Sequence, residues 1–252
     1  MKFKNLSIIG GGPNAVYALE LLLKSIIKKN IKSKKTIKIF EQSGLFGCGK
    51  THSKNLDDKI LLNRVAGQIS LGSYPFKKFP NKLRKYDYNF MEWKNRSKLK
   101  IIKNLKSSDW PPRKIFGLAM EQKFFDLIKI FKNKTNVKIE LHYEKIISIK
   151  KNGRAFILGS DKNNRFLSDS ILIVTGNYTS SVNCSKLSRN IHRKTKNTNC
   201  KYEYNFLDKL DRSEYWKKIS NKDILIFGTG VSSLDIITLL KNRGNKIYPI
   251  SR

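Results

Sequence analysis

Acidic side chains are scarce in this chain. Against 52 Lys and Arg stand 19 Asp and Glu, a formal net charge of +33 over 252 residues. Cysteine and histidine are scarcer still, three of each. Cys48, Cys184 and Cys200 lie far apart, as do His52, His142 and His192. Such scatter excludes a disulfide framework and the paired spacings of a metal site. No apolar run is long enough to span a bilayer, and Lys24 interrupts the best one. The first apolar strand begins almost at once, which leaves no room for a secretory leader. The expectation is a protein without membrane partners in a cytoplasmic, reducing compartment. The lysines are not gathered into an arm; they run the whole length among many Asn and Ile, and no nucleic-acid motif accompanies them. Salt-sensitive, non-specific association with polyanions follows from the charge alone. A basic polyanion-binding protein is therefore one reading of the composition.

What the chain does have is glycine in telling places. Lys2 to Tyr17 reads KFKNLSIIGGGPNAVY. Leu6 to Ile9 is a short apolar run ending in glycines. Beyond them Ala15, Val16, Leu19, Leu22, Leu23, Ile26 and Ile27 recur at helical spacing. The pattern is strand, tight turn, helix. Gly10 and Gly12 fit the first two glycines of the dinucleotide fingerprint, and Ala15 fits the small third position. Gly10 permits the turn, and Gly12 lets a diphosphate approach the backbone. The helix start offers unpaired N–H groups and a partial positive charge to that anion. Pro13 suits the first helical turn. A second strand, Thr36 to Phe40, ends at Glu41, whose carboxylate can accept hydrogen bonds from a ribose diol. The plainer alternative is a glycine turn that binds nothing.

Residues 43–60 are polar and turn-rich, with Gly44, Gly47 and Gly49. GLFGCGKT, residues 44–51, literally matches the phosphate-binding GxxxxGK[ST] pattern. It lacks a convincing following helix and competes with Glu41 for the same strand end. In LLNRVAGQISLGSYP, which starts at Leu61, Asn63, Gln68 and Ser70 sit among apolar residues and need partners if buried, such as a cofactor ring or backbone. Phe90 and Trp93 share a helical face. Asp109 to Arg113 is a rigid turn leading into a strongly amphipathic helix through Phe131. Arg113 opposes the dipole at that helix start, which an anionic ligand or a carboxylate would offset.

Strands follow. Asn152-Gly153 marks a hairpin between 144–150 and 154–158, and residues 137–167 are expected to form an inserted antiparallel ribbon. Ile171 to Val174 is continuously apolar, as for a parallel strand covered on both faces. Thr175-Gly176 ends it at the carboxyl edge, where open sheets bind ligands. After a polar crossover the first pattern returns in DILIFGTGVSSLDIITLL, with Gly228, Gly230 and Ser233 at the fingerprint positions. The next strand, Lys246 to Ile250, has Arg252 at its tip, where a cation favours the 2'-phosphate of NADPH over NADH. The expected organisation is a first nucleotide domain over 1–180, a linker over 181–220 and the start of a second over 221–252.

Two such fingerprints in one chain suggest hydride transfer between a nicotinamide and a flavin. Together with the blocks LLNRVAGQISL, PPRKIFG and ILIVTGN, and with ILIFGTGVSSLD followed by YPISR, they resemble the FAD/NAD(P)-binding oxidoreductases related to lysine and ornithine N-monooxygenases. The resemblance covers almost the whole chain, and it sets aside the phosphate-loop reading of residues 44–51. It implies a three-layer α/β, Rossmann-like FAD-binding fold with an inserted β ribbon, followed by an incomplete Rossmann-like NAD(P)-binding domain. The implied cofactors are FAD and NADPH or NADH. The implied activity is that of a flavin-dependent oxidoreductase, extending to monooxygenation of an amine-like small molecule. Members of that family continue well past the point where this sequence stops. A fragment, a split protein completed by a second chain, and an inactive flavin-binding copy are therefore alternatives. No side chain stands out as an acid or base.

Overall fold

The computed structural model describes residues 3–73, 78–176, 190, 193–194, 201, 203 and 206–251. The chain divides into two compact units, Met1–Thr175 and Gly176–Arg252.

The first unit has three layers. Its centre is a four-stranded parallel sheet, order β3-β2-β1-β7, built from β1 (Asn5–Ile9), β2 (Lys35–Phe40), β3 (Val137–His142) and β7 (Ser170–Ile173). Alternate residues take opposite faces, as the pleat requires. Leu6, Ile8, Ile37 and Ile39 point to a helical layer made of α1 (Pro13–Lys28) and α3 (Arg113–Lys134). Ile9 and Phe40 point the other way, against Leu158, Phe156 and Phe166. That opposite layer is an antiparallel sheet of β4 (Ile146–Asn152), β5 (Ala155–Ser160) and β6 (Arg165–Ser168). The polar residues on the same face of the central sheet also find partners there. Ser7 Oγ bonds Ser168 Oγ, and Lys38 Nζ donates to the Leu167 carbonyl.

Two expectations need correction. Val137–His142 belongs to the parallel sheet, in register with Lys35–Phe40, so the antiparallel insert is only Ile146–Ser168. And β7 is covered only in part: Leu172 packs toward the helices and Ile171 toward the antiparallel sheet, but neither is fully buried. The strand lies at the edge of the described sheet, and Ile173 is 61% exposed. The chain changes sheets at Asp169. Its carboxylate accepts from the Lys4 and Asn5 amides at 2.7 and 3.0 Å, which pins the switch beside β1.

Helix α1 follows from its apolar stripe. Ala15, Val16, Leu19, Leu23 and Ile26 are all buried, and each such Leu or Ile contributes about 1.5–3 kcal/mol. It stops at Asn30, which has φ 46°. The Asn30 amide bonds the Ile27 carbonyl and the Ile31 amide bonds that of Ile26, the paired bonds of a Schellman end. Helix α2 (Phe90–Arg96) starts with a reciprocal capping box between Asn89 and Glu92.

An unexpected feature flanks α1. Glu20, Lys24, Asp87 and Lys123 are buried together. Lys24 Nζ lies 2.6 Å from Glu20 and 2.8 Å from Asp87, and Lys123 lies 3.7 Å from Glu20. Glu20 also accepts the Ser73 amide, and Asp87 the Phe79 amide. The four charges cancel and tie the segment before α2 onto α1 and α3. Burial is the main cause that lowers the Lys123 ammonium below the usual lysine range.

The second unit holds α4 (Ser213–Lys217), β8 (Asp223–Phe227), α5 (Val231–Leu240) and β9 (Lys246–Ile250), with β8 and β9 parallel. Leu210, Trp216, Ile236, Leu239 and Leu240 are buried. Leu225, Phe227, Tyr248 and Ile250 remain about half exposed or more, along one sheet face.

Candidate functional site

The first glycine turn sits at the carboxyl edge of the central sheet, between β1 and its neighbours. Gly10 has φ +103°, and its amide extends the ladder by donating to the Phe40 carbonyl at 2.9 Å. A Cβ at Gly10 would stand 2.5 Å from the Val174 oxygen, and one at Gly11 would stand 2.7 Å from the Glu41 Cβ. Packing inside the chain therefore demands both glycines. Gly12 differs. It caps α1 with φ −76° and ψ −164°, a conformation open to any residue, and a Cβ there would meet nothing closer than 3.6 Å. The fold does not need glycine at 12, whereas a group lying on the backbone would.

Donors converge at the same point. No side chain caps α1, no acidic residue occupies its first turn, and Pro13 is at the helix start. The Gly12 and Asn14 amides have no hydrogen-bond partner among the described residues. Ala15 is fully buried and lets helix and strand approach, as read from the sequence. The turn thus offers bare backbone, unpaired N–H groups and the positive end of a helix of 16 residues, a fit for the diphosphate of a dinucleotide.

The opposite wall is the glycine-rich loop after β2. The Gly47 amide donates to the Gly11 carbonyl at 2.7 Å, and Gly49 packs on Gly12. Gly47 and Gly49 hold φ +84° and +61°. Behind the loop, a Cβ on Gly47 would stand 2.7 Å from the backbone of α3, and one on Gly117 would stand 1.8 Å from the His52 carbonyl. The loop is therefore wedged between the turn and α3. Only a 3-10 turn, Lys50–His52, follows Gly49, so the phosphate-loop pattern lacks its helix here. Burial pushes the Cys48 thiol up to about 12, leaving no reactive thiolate. Burial and then the Arg113 guanidinium lower His52 to about 4, so it is neutral at physiological pH.

The other predicted residues are placed as follows. Glu41 stands at the tip of β2, but its carboxylate is held by the chain. One oxygen accepts the Gly11 amide at 3.0 Å, and the other accepts the Ser43 amide and hydroxyl. Thr175 closes on Gly10, with its Cα 3.0 Å from a Cβ built there, and Gly176 has φ +75°. Asn63 and Ser70 are exposed rather than buried, so they do not need the partners expected of them. The Ser70 hydroxyl closes a local turn onto the Gly72 carbonyl. Arg113 is buried and donates to the Leu61 carbonyl at 3.4 Å, so backbone, and not only an anion, answers its charge. The wall sets Gly47 and Gly49 against Gly11 and Gly12, and its signal is the run of glycines between 44 and 49, which allows a close backbone pass.

In the second unit Gly228 has φ +100° and donates to the Ile250 carbonyl at 2.7 Å; Gly230 caps α5. Ser233 is buried, and its hydroxyl donates to the Gly230 carbonyl, so it packs the turn. Arg252 lies outside the described residues, as do Cys184, Cys200 and His192. Among the described residues no group of three His, Cys, Asp or Glu could hold a metal, and no helix is long and apolar enough to cross a membrane.

Comparison with known proteins agrees with this geometry. No curated protein sequence matches the chain. Among solved structures, ornithine hydroxylase from Pseudomonas aeruginosa is similar over 98% of this chain and 54% of its own, at 13% identity and TM-score 0.58. Lysine monooxygenase from Nocardia farcinica matches over 98% and 58%, at 13% identity and TM-score 0.55. The FAD-bound cadaverine monooxygenase from Erwinia amylovora matches over 100% and 51%, at 14% identity and TM-score 0.52. The chain spans between half and three-fifths of the length of these solved proteins, and at such identities the likeness is one of fold. A family profile described as FAD-NAD(P)-binding matches residues 7–178, which span the first glycine turn, its wall and the strand beside it. With its FAD- and NAD(P)-binding architecture, this chain belongs to the FAD-NAD(P)-binding family.

Proposed function

We propose that the chain is the nucleotide-binding part of a flavin-dependent oxidoreductase that draws reducing equivalents from NADPH or NADH. A monooxygenase acting on an amine-like small molecule is the substrate class this reading favours, in keeping with the lysine, ornithine and cadaverine enzymes that share the fold. The observation that carries it is Gly12, a glycine the fold does not require, set beside unpaired amides at a helix start. Gly10 and Gly11 shape the turn, Gly12 and the α1 amides would hold the diphosphate, and Glu41 orients the turn through the Gly11 amide while presenting its carboxylate to a ribose. FAD, when bound, supplies the redox chemistry. Gly228 and Gly230 would receive the nicotinamide nucleotide in the second unit. The exposed apolar face of β8 and β9 suits cover by further polypeptide, in the same chain or a second one.

The test is the visible spectrum of FAD-loaded protein, recorded without oxygen before and after NADPH. Bleaching near the flavin maximum supports the oxidoreductase. Retained flavin that NADPH leaves oxidised favours the alternative, a flavin-binding protein without turnover.

A further inference from the structure

Tyr143 is an exposed aromatic ring whose position the sequence did not single out. It follows β3 directly, at the carboxyl edge of the sheet. Phe40 is in register with His142, and the Glu41 amide continues that ladder by donating to the His142 carbonyl at 3.0 Å. Tyr143 therefore stands beside Glu41. Its ring is held on two sides. The buried Phe46 ring meets it edge-on, with centroids 5.2 Å apart at 89°. Gly44, at φ +71°, lies under it, where a Cβ would come within 3.1 Å of the ring. Yet the residue is 58% exposed, and its phenol has no hydrogen-bond partner among the described residues. The chain fixes this ring without using its outer face.

The order along the sheet edge is Gly12 and α1, then Glu41, then Tyr143. Neighbouring strands lie about 4.8 Å apart, so the span from β1 to β3 is about 10 Å. Diphosphate, ribose and base follow one another in the same order in an adenosine diphosphate. We propose that Tyr143 is the stacking platform for the adenine of the bound dinucleotide, selecting FAD over FMN. This rests on the FAD reading above. Phe46 and Gly44 position the ring; the ring face does the selecting.

The experiment is a binding titration of FAD and FMN against the full chain and its Tyr143→Ala and Tyr143→Phe variants, with circular dichroism to check the fold. Aromatic–base stacking predicts FAD binding weakened about ten-fold in Tyr143→Ala, with FMN unchanged and Tyr143→Phe near wild type. Unaltered FAD binding by Tyr143→Ala would overturn the proposal. So would an equal loss for FMN, or a Tyr143→Phe variant as weak as Tyr143→Ala. A wild-type chain that binds no FAD would overturn the functional reading itself, and this inference with it.

Discussion

The two glycine turns are nearly the same object in different surroundings. Gly10 and Gly228 have φ +103° and +100°, and each donates to the last carbonyl of the neighbouring parallel strand. Gly12 and Gly230 cap their helices in the same extended conformation. But the first turn is walled. Val174, Glu41, Phe46 and Gly49 all lie within 4 Å of where its glycines would carry side chains. Among the described residues nothing lies within 4 Å of where Gly228 or Gly230 would carry a side chain. The first rests on a four-stranded sheet, the second on two strands. The turn geometry is thus written locally, in glycine spacing and apolar periods, while the binding cleft is assembled by distant segments.

This contrast can be broken in graded steps. The largest effect on stability is expected from the ionic cluster under α1. Lys24→Met takes away the ammonium that lies within 3 Å of both Glu20 and Asp87 and should cost about 3–5 kcal/mol in urea denaturation. Gly10→Ala comes next. A φ of +103° and a 2.5 Å approach to the Val174 oxygen should cost on the order of 3 kcal/mol. A thermal midpoint close to wild type would show that the wall is not as tight as described.

Acid should loosen the wall through His52. Its folded pKa, about 4, lies below the ordinary 6.5, so its stabilisation is complete above pH 6.5 and is lost as pH falls through about 4. The loss should be about 2–3 kcal/mol, and His52→Asn should remove that part of the pH slope. The smallest effect belongs to Gly228→Ala. It meets the same backbone strain with no clash and should cost about 1 kcal/mol. Equal losses from Gly10→Ala and Gly228→Ala would erase the distinction between the turns.

The strand–turn–helix units were legible because periodicity and glycine spacing are local. So were α3, from its apolar stripe, and the hairpin at Gly153, which has φ +58°. What the sequence does not carry is who faces whom. Lys24 reads as a break in an apolar run and nothing in the sequence marks Lys123, yet both are buried against carboxylates from other segments. The strand Val137–His142 joins the parallel sheet because β2 is its neighbour, and no pattern within the strand itself says so. Arg113 answers a carbonyl about fifty residues away in sequence, and Asn63 and Ser70 turn out exposed. Such pairings depend on the assembled tertiary structure, which a reading of neighbours along the chain does not reach.

The central claim is that Gly12 is glycine for a ligand and not for the fold. Its most direct test is Gly12→Leu, loaded with FAD, passed through gel filtration and compared with wild type by visible absorbance and far-ultraviolet circular dichroism. The account predicts a folded, colourless variant beside a yellow wild type. A Gly12→Leu protein that emerges as yellow as the wild type would contradict it.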